Sequence, residues 1–175
     1  MSNRQLEHNE VNQKRKVFPS VVICENIESP DNVGMIFRNC EAMGVSKIIF
    51  TGTSVLPPNR KIRKVSRSTD KLVEYLYVVS TIEAINLLAK EDYIPLAIEV
   101  SECSISVHTC LFSNKEKYAF IVGSEKHGVS AETLDAVNQT IEIPMFGLNT
   151  SINVVSALTI VLYEYSKQLT NVKTH

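Results

Sequence analysis

The chain has 175 residues, 44% of them hydrophobic, and 18 Lys and Arg set against 19 Asp and Glu leave a net charge of −1. This suits one domain with a core of ordinary size, and it argues against a protein that coats nucleic acid with a uniformly basic surface. No run is long and uncharged enough to span a bilayer, and Met1 to Glu10 are polar where a signal peptide would be apolar, so the expectation is a cytoplasmic protein with no membrane partner.

Residues 1–18 are expected to form a polar tail, with a basic run at Lys14, Arg15 and Lys16, and residues 19–175 a single domain. Val21 to Cys24 is a β-branched strand. Ser29 and Pro30 make an N-cap and first-turn pair for a helix to about Met43, which Gly44 stops. Lys47 to Phe50 is a second strand. A long polar connection from Pro57 to Ser68 follows, and strands near Tyr75 to Val78 and Ile94 to Ile98 flank a helix opened by the capping box of Ser80 and Glu83. Tyr118 to Val122 reads as a buried strand, Ser130 caps a short helix through Val137, and Ile141 and Ile143 end a further strand. A last helix is expected from Ser151 to about Gln168, with Ile152, Val155, Leu158, Leu162 and Tyr165 at helical spacing. Strands alternating with helices give an α/β fold whose mostly parallel sheet is flanked by helices.

The four cysteines, Cys24, Cys40, Cys103 and Cys110, show no C-x-x-C spacing and are read as reduced structural thiols. His8, His108, His127 and His175 are scattered, so no metal is expected. The stretch holding Arg60, Lys61, Arg63, Lys64, Arg67 and Lys71 can track phosphates, and charge alone fits a solvated loop equally well.

In parallel sheets ligands bind beyond the C-terminal ends of strands, and three of the loops there are unusual. After the first strand, Asn32 and Arg38 stand six residues apart; taken alone they fit a helix-start residue and a surface charge. After Tyr118 to Val122 comes Gly123-Ser-Glu125-Lys-His-Gly128-Val129, which lacks the P-loop lysine and alone fits a glycine-hinged turn. After Ile141 comes Ile143-Pro-Met145-Phe-Gly147-Leu-Asn-Thr-Ser151-Ile152-Asn153-Val154. There Pro144 ends a strand, Gly147 permits a reversal, Ser151 can cap a helix, and Asn153 falls where burial is expected, so its amide needs partners.

Together and in this order, over residues 20–168, the N-x-x-x-x-x-R helix, the G-x-E-x-x-G-V loop and the I-P-M…S-I-N-V segment resemble the three motifs of the SpoU/TrmH RNA ribose 2′-O-methyltransferases of the SPOUT superfamily. The resemblance implies a SPOUT fold with a C-terminal trefoil knot, S-adenosyl-L-methionine (AdoMet) as cofactor, tRNA or rRNA as substrate, and a homodimer with its site at the interface. It places Arg38, Asn32, Glu125, Ser151 and Asn153 in the catalytic site and Glu99, Gly123, Ile143, Met145 and Ile152 around the cofactor. RNA would run along Arg60, Lys61, Arg63, Lys64 and Arg67, helped by Lys126.

A guanidinium has no lone pair to act as a base. The expected role of Arg38 is therefore to grip a phosphate and stabilise charge on the attacking oxygen, with Asn32, Ser151 and Asn153 orienting the ribose and holding that arginine, and Glu125 pairing with Arg38 or supporting the interface. The apolar stripe of the last helix is expected to be the dimer face. A non-catalytic RNA-binding or assembly module with the same fold is the alternative; a nucleotide-binding Rossmann enzyme is disfavoured because no glycine-rich turn follows the first strand.

Overall fold

The computed structural model describes residues 4, 6, 7, 10 and 14–171. Much of the expected tail, together with His8 and His175, lies outside the described residues. The expected runs become strands β1 (Ser20–Glu25), β2 (Lys47–Thr51), β3 (Glu74–Val78), β4 (Tyr93–Ile98), β6 (Lys117–Val122) and β7 (Gln139–Glu142), and a two-residue strand β5 (Ile105–Ser106), with no apolar run of its own, adds to them. Every pairing is parallel and the order is β3-β2-β1-β6-β4-β7-β5. Helices α1 (Pro30–Ala42), α2 (Arg60–Ser66), α3 (Thr81–Ala89), α4 (Ala131–Ala136) and α5 (Val154–Asn171) lie between and after them.

Side chains alternate across the sheet. Val22, Cys24, Ile48, Phe50 and Phe120 pack with Phe37 of α1 and Leu158 and Tyr165 of α5. Val21, Ile23, Ile49, Ala119 and Ile121 pack with Ala84, Ile85 and Leu88 of α3. Phe18 also joins the core, edge-on to Tyr165 at 5.8 Å, so the packed unit takes in one residue ahead of the expected boundary.

Ser29, Ser80 and Ser130 cap α1, α3 and α4 as their positions suggest. The connection expected to be a loop instead holds α2. Its N-cap Asn59 accepts from the Lys61 and Ile62 amides, and buried Ile62 faces α1, where Gly34 leaves room: a Cβ on Gly34 would lie 2.8 Å from Val65 Cβ and 2.9 Å from the Ile62 carbonyl oxygen. The last helix also differs. It begins at Val154, and its cap is Asn153, whose Oδ1 accepts from the Val155 amide at 2.9 Å, not Ser151. Val155, Leu158, Leu162 and Tyr165 are buried in this chain's own core, so they are not available as a dimer face. The exposed apolar residues of α5 are Ile160 and Tyr163.

Candidate active site

Because all strands run the same way, the loops after β4, β6 and β7 emerge at one edge of the sheet. β1 leads toward β2 and its neighbour β6 leads the other way toward β7, the arrangement that opens a crevice at strand ends. A cleft of about 730 Å³ lies at the ends of β4, β6 and β7, large enough for a nucleoside-sized ligand. Glu99, Gly123, Ile143, Met145 and Ile152 all line it, as do Glu125, Ser151 and Asn153, with Ile98, Val122, Leu134 and Ile141 as apolar wall.

The loop after β6 is closed on itself: the Ser124 amide donates to the Gly128 carbonyl at 3.1 Å and the Gly128 amide to the Ser124 carbonyl at 2.9 Å. Gly128 has φ +65°, and a Cβ there would lie 2.3 Å from Glu99 Oε2. A Cβ on Gly123 would lie 2.0 Å from the Gly128 carbonyl, so neither position admits a side chain.

Three segments far apart in sequence are joined by hydrogen bonds. Asn32 Nδ2 donates to Glu125 Oε1, and Asn153 Nδ2 donates to Asn32 Oδ1 at 3.3 Å. Asn153 is exposed, not buried as its apolar neighbours suggest, and its amide finds partners in Asn32 and the helix end. Ser151 lines the cleft without capping α5. Gly147 is not among the residues with positive φ, and a Cβ there would meet nothing, so no reversal depends on it.

Arg38 stands apart from this network. Six residues beyond Asn32, it is about 9 Å further along the helix and about two thirds of a turn round it; it is exposed and has no acidic partner among the described residues. The expected pairing of Glu125 with Arg38 is thus replaced by Glu125 with Asn32, and Asn32 and Asn153 hold each other, not the arginine.

Arg60, Lys61, Arg63, Lys64 and Arg67 are all exposed on or just after α2. Lys61 pairs with Asp31 at 2.7 Å, one residue before Asn32, so the basic helix is tied to the first turn of α1. Arg15 donates to the Leu72 carbonyl at 3.1 Å, which brings the basic run near the N-terminus beside the basic stretch.

Glu142, on the cleft wall, was missed by sequence reasoning. It accepts from Ser104 at 2.7 Å, and its signal was a carboxylate at the C-terminal end of a buried strand. All four cysteines are free, and burial pushes the Cys24 and Cys40 thiols up, so neither offers a thiolate nucleophile. Among the described residues no three His, Cys, Asp or Glu side chains are grouped to hold a metal, and no helix is long and apolar enough to cross a membrane.

The SpoU rRNA Methylase family matches residues 19–163, a span that includes all three joined segments. The chain belongs to this family. It is 30% identical over 156 residues to the tRNA (guanosine(18)-2′-O)-methyltransferase of Thermus thermophilus, covering 89% of this chain and 78% of that enzyme. It is 26% identical over 155 residues to the 23S rRNA (guanosine-2′-O-)-methyltransferase RlmB of Blochmanniella floridana, covering 89% of this chain and 60% of that enzyme. The fold matches the SpoU methyltransferase AviRb of Streptomyces viridochromogenes, solved with AdoMet, at a TM-score of 0.78 and 20% identity, over 95% of this chain and 63% of AviRb. This family member therefore spans less than two thirds of RlmB and of AviRb.

Proposed function

We propose that the protein is an AdoMet-dependent methyltransferase acting on a ribose 2′-hydroxyl of tRNA or rRNA. The observation that carries this is the hydrogen-bonded chain Glu125–Asn32–Asn153, which unites the three family motifs beside the cleft. The relatives' chemistry supports the same activity, since both named enzymes are guanosine 2′-O-methyltransferases.

The cleft fits AdoMet in size and chemistry. Apolar Ile143, Met145 and Ile152 suit a purine and the methylene groups of the methionyl chain, and the carboxylates of Glu99, Glu125 and Glu142 suit a cationic sulfonium. Glu99, Gly123, Ile143, Met145 and Ile152 are the residues that would hold it. When bound, AdoMet supplies a methyl group on a positively charged sulfur, open to in-line attack. Asn32, Ser151 and Asn153 orient the ribose. Glu125 is the carboxylate in the chain able to accept a proton as the hydroxyl attacks. Arg38, permanently cationic, grips a phosphate and stabilises charge on the oxygen. Arg60, Lys61, Arg63, Lys64 and Arg67 steer the RNA backbone, with Lys126 nearer the cleft.

We further propose the C-terminal trefoil knot, a homodimer and a cytoplasmic location. The dimer is supported by a hollow of about 420 Å³ between α1 and α5, lined by Asn32, Met35, Asn39, Asn153 and Ile160 among others. It sits on the face of α1 that adjoins exposed Arg38, so a second copy would bring its own Arg38 close to this site. The cytoplasm suits four free cysteines.

The test is methyl transfer from radiolabelled AdoMet to total tRNA and rRNA, with ribose methylation mapped in cells with and without the protein. Loss of one mapped 2′-O-methyl mark in the deleted cells is the expected result. RNA binding without AdoMet binding by calorimetry would point to a non-catalytic module instead.

A further inference from the structure

β6 lies between β1 and β4, and the loop it feeds, Gly123–Val129, leaves the cleft toward α4. At that exit two successive backbone amides are taken by carboxylates from the two flanking strands. Glu99, one residue beyond β4, accepts from the Val129 amide at 3.1 Å through Oε2 and from its neighbour Val100 at 2.9 Å through Oε1. Glu25, the last residue of β1, accepts from the Ser130 amide at 3.1 Å through Oε2, and its Oε1 takes the Ser130 and Thr133 hydroxyls at 2.7 and 2.9 Å.

We propose that Glu25 and Glu99 are a two-sided clamp, a pair of positioning residues that set the place of this loop and, through it, of Glu125; the inference rests on the cofactor reading above. A carboxylate as buried as Glu25, 6% exposed, is costly unless its oxygens are satisfied, and here three donors converge on it. Bonds to a charged acceptor are about twice as strong as neutral ones, so each strand end holds its amide firmly. The loop between entry and exit is a closed unit, because Ser124 and Gly128 bond each other. Its tilt is therefore set where it enters, by β6, and where it leaves, by the two glutamates. Glu125 at its tip is exposed, with Asn32 as its side-chain partner, and follows that tilt. Gly128 completes the device, since only a residue without Cβ lets Glu99 come so close.

The two glutamates differ in a way that makes the clamp testable. The donors on Glu25 Oε1 are hydroxyls that can also accept, so a glutamine can present its amide nitrogen to them and keep its oxygen on Ser130. Both Glu99 oxygens receive N–H donors, and a glutamine has one oxygen for two donors.

The experiment measures amide hydrogen exchange at Val100, Val129 and Ser130, AdoMet affinity by calorimetry and single-turnover methylation of total tRNA in the full-length protein. Glu25→Ala should release Ser130 and Glu99→Ala should release Val129; both should weaken AdoMet about ten-fold and lower the turnover rate about a hundred-fold, the scale of a 1 Å misplacement. Glu25→Gln should restore exchange protection and affinity, and Glu99→Gln should leave Val100 or Val129 unprotected. If the alanine variants do not fold, the glutamine pair decides alone. Unchanged exchange at Val129 and Ser130 in the alanine variants, or equal behaviour of the two glutamine variants, overturns the clamp. Failure of the wild-type protein to bind AdoMet overturns the cofactor reading, and the exchange data still decide the clamp.

Discussion

Gly34→Ala isolates the contact that seats the basic helix. In a free helix the change would stabilise by about 1 kcal/mol, because alanine is the better helix former. Here the new methyl would stand 2.8 Å from Val65 Cβ and 2.9 Å from the Ile62 carbonyl oxygen, both in α2. One neighbour is backbone and the other a Cβ, so neither can swing aside; α2 must move by roughly 0.7 Å to restore ordinary contact, and overpacking of this kind costs about 1–3 kcal/mol. The net expectation is destabilisation by about 1 kcal/mol, a melting temperature lower by about 2–4 °C for a chain of this size. Since α2 carries Arg60, Lys61, Arg63 and Lys64, and Lys61 bonds Asp31 on α1, RNA affinity should fall more than AdoMet affinity. Calorimetric melting and fluorescence anisotropy with labelled tRNA measure both. A variant that melts higher than wild type, with RNA affinity intact, would refute the tight seating of α2 on α1.

Arg38→Ala should reduce methyl transfer about a hundred- to a thousand-fold with AdoMet affinity unchanged, and Arg38→Lys should fail nearly as badly if the contact is bidentate; near-full turnover with lysine would reduce the role to a point charge. Ile160→Glu, on the exposed face of α5, should halve the mass seen by light scattering and abolish transfer, and an active monomer would exclude the shared site. Burial first, then the hydrogen bond to Glu116, pushes the Tyr118 phenol up to about 12 from its ordinary 10. The fold favours its neutral form, so this contribution is complete below pH 10 and is lost as the pH rises toward about 12. Urea midpoints should therefore fall over that range, and less steeply in Tyr118→Phe; identical slopes would contradict it.

Strands β1, β2, β3, β4 and β6 are legible as short runs of apolar, β-branched and aromatic residues, and helices α1, α3 and α4 from their own caps, Ser29 with Pro30, Ser80 with Glu83, and Ser130. α2 was not legible. Its seven residues are mostly charged, and the burial of Ile62 depends on the space left by Gly34. The start of α5 was misplaced because Ser151 and Asn153 are both good caps, and only the second lies where its side chain can also meet Asn32.

The sequence alone determined the α/β class, through alternating periods, and the candidate residues of the site, through three motifs that each admit a local reading and, taken together in their order, resemble those of one family. Which of these residues meet was decided only by the tertiary structure. Whether Glu125 bonds Asn32 or Arg38, whether Leu158 faces a partner or its own sheet, and whether Glu25 reaches Ser130 all depend on strand order, with β6 set between β1 and β4. That order is fixed by pairings between residues as distant as Ser20 and Tyr118, and no local pattern of residues encodes a contact of that span.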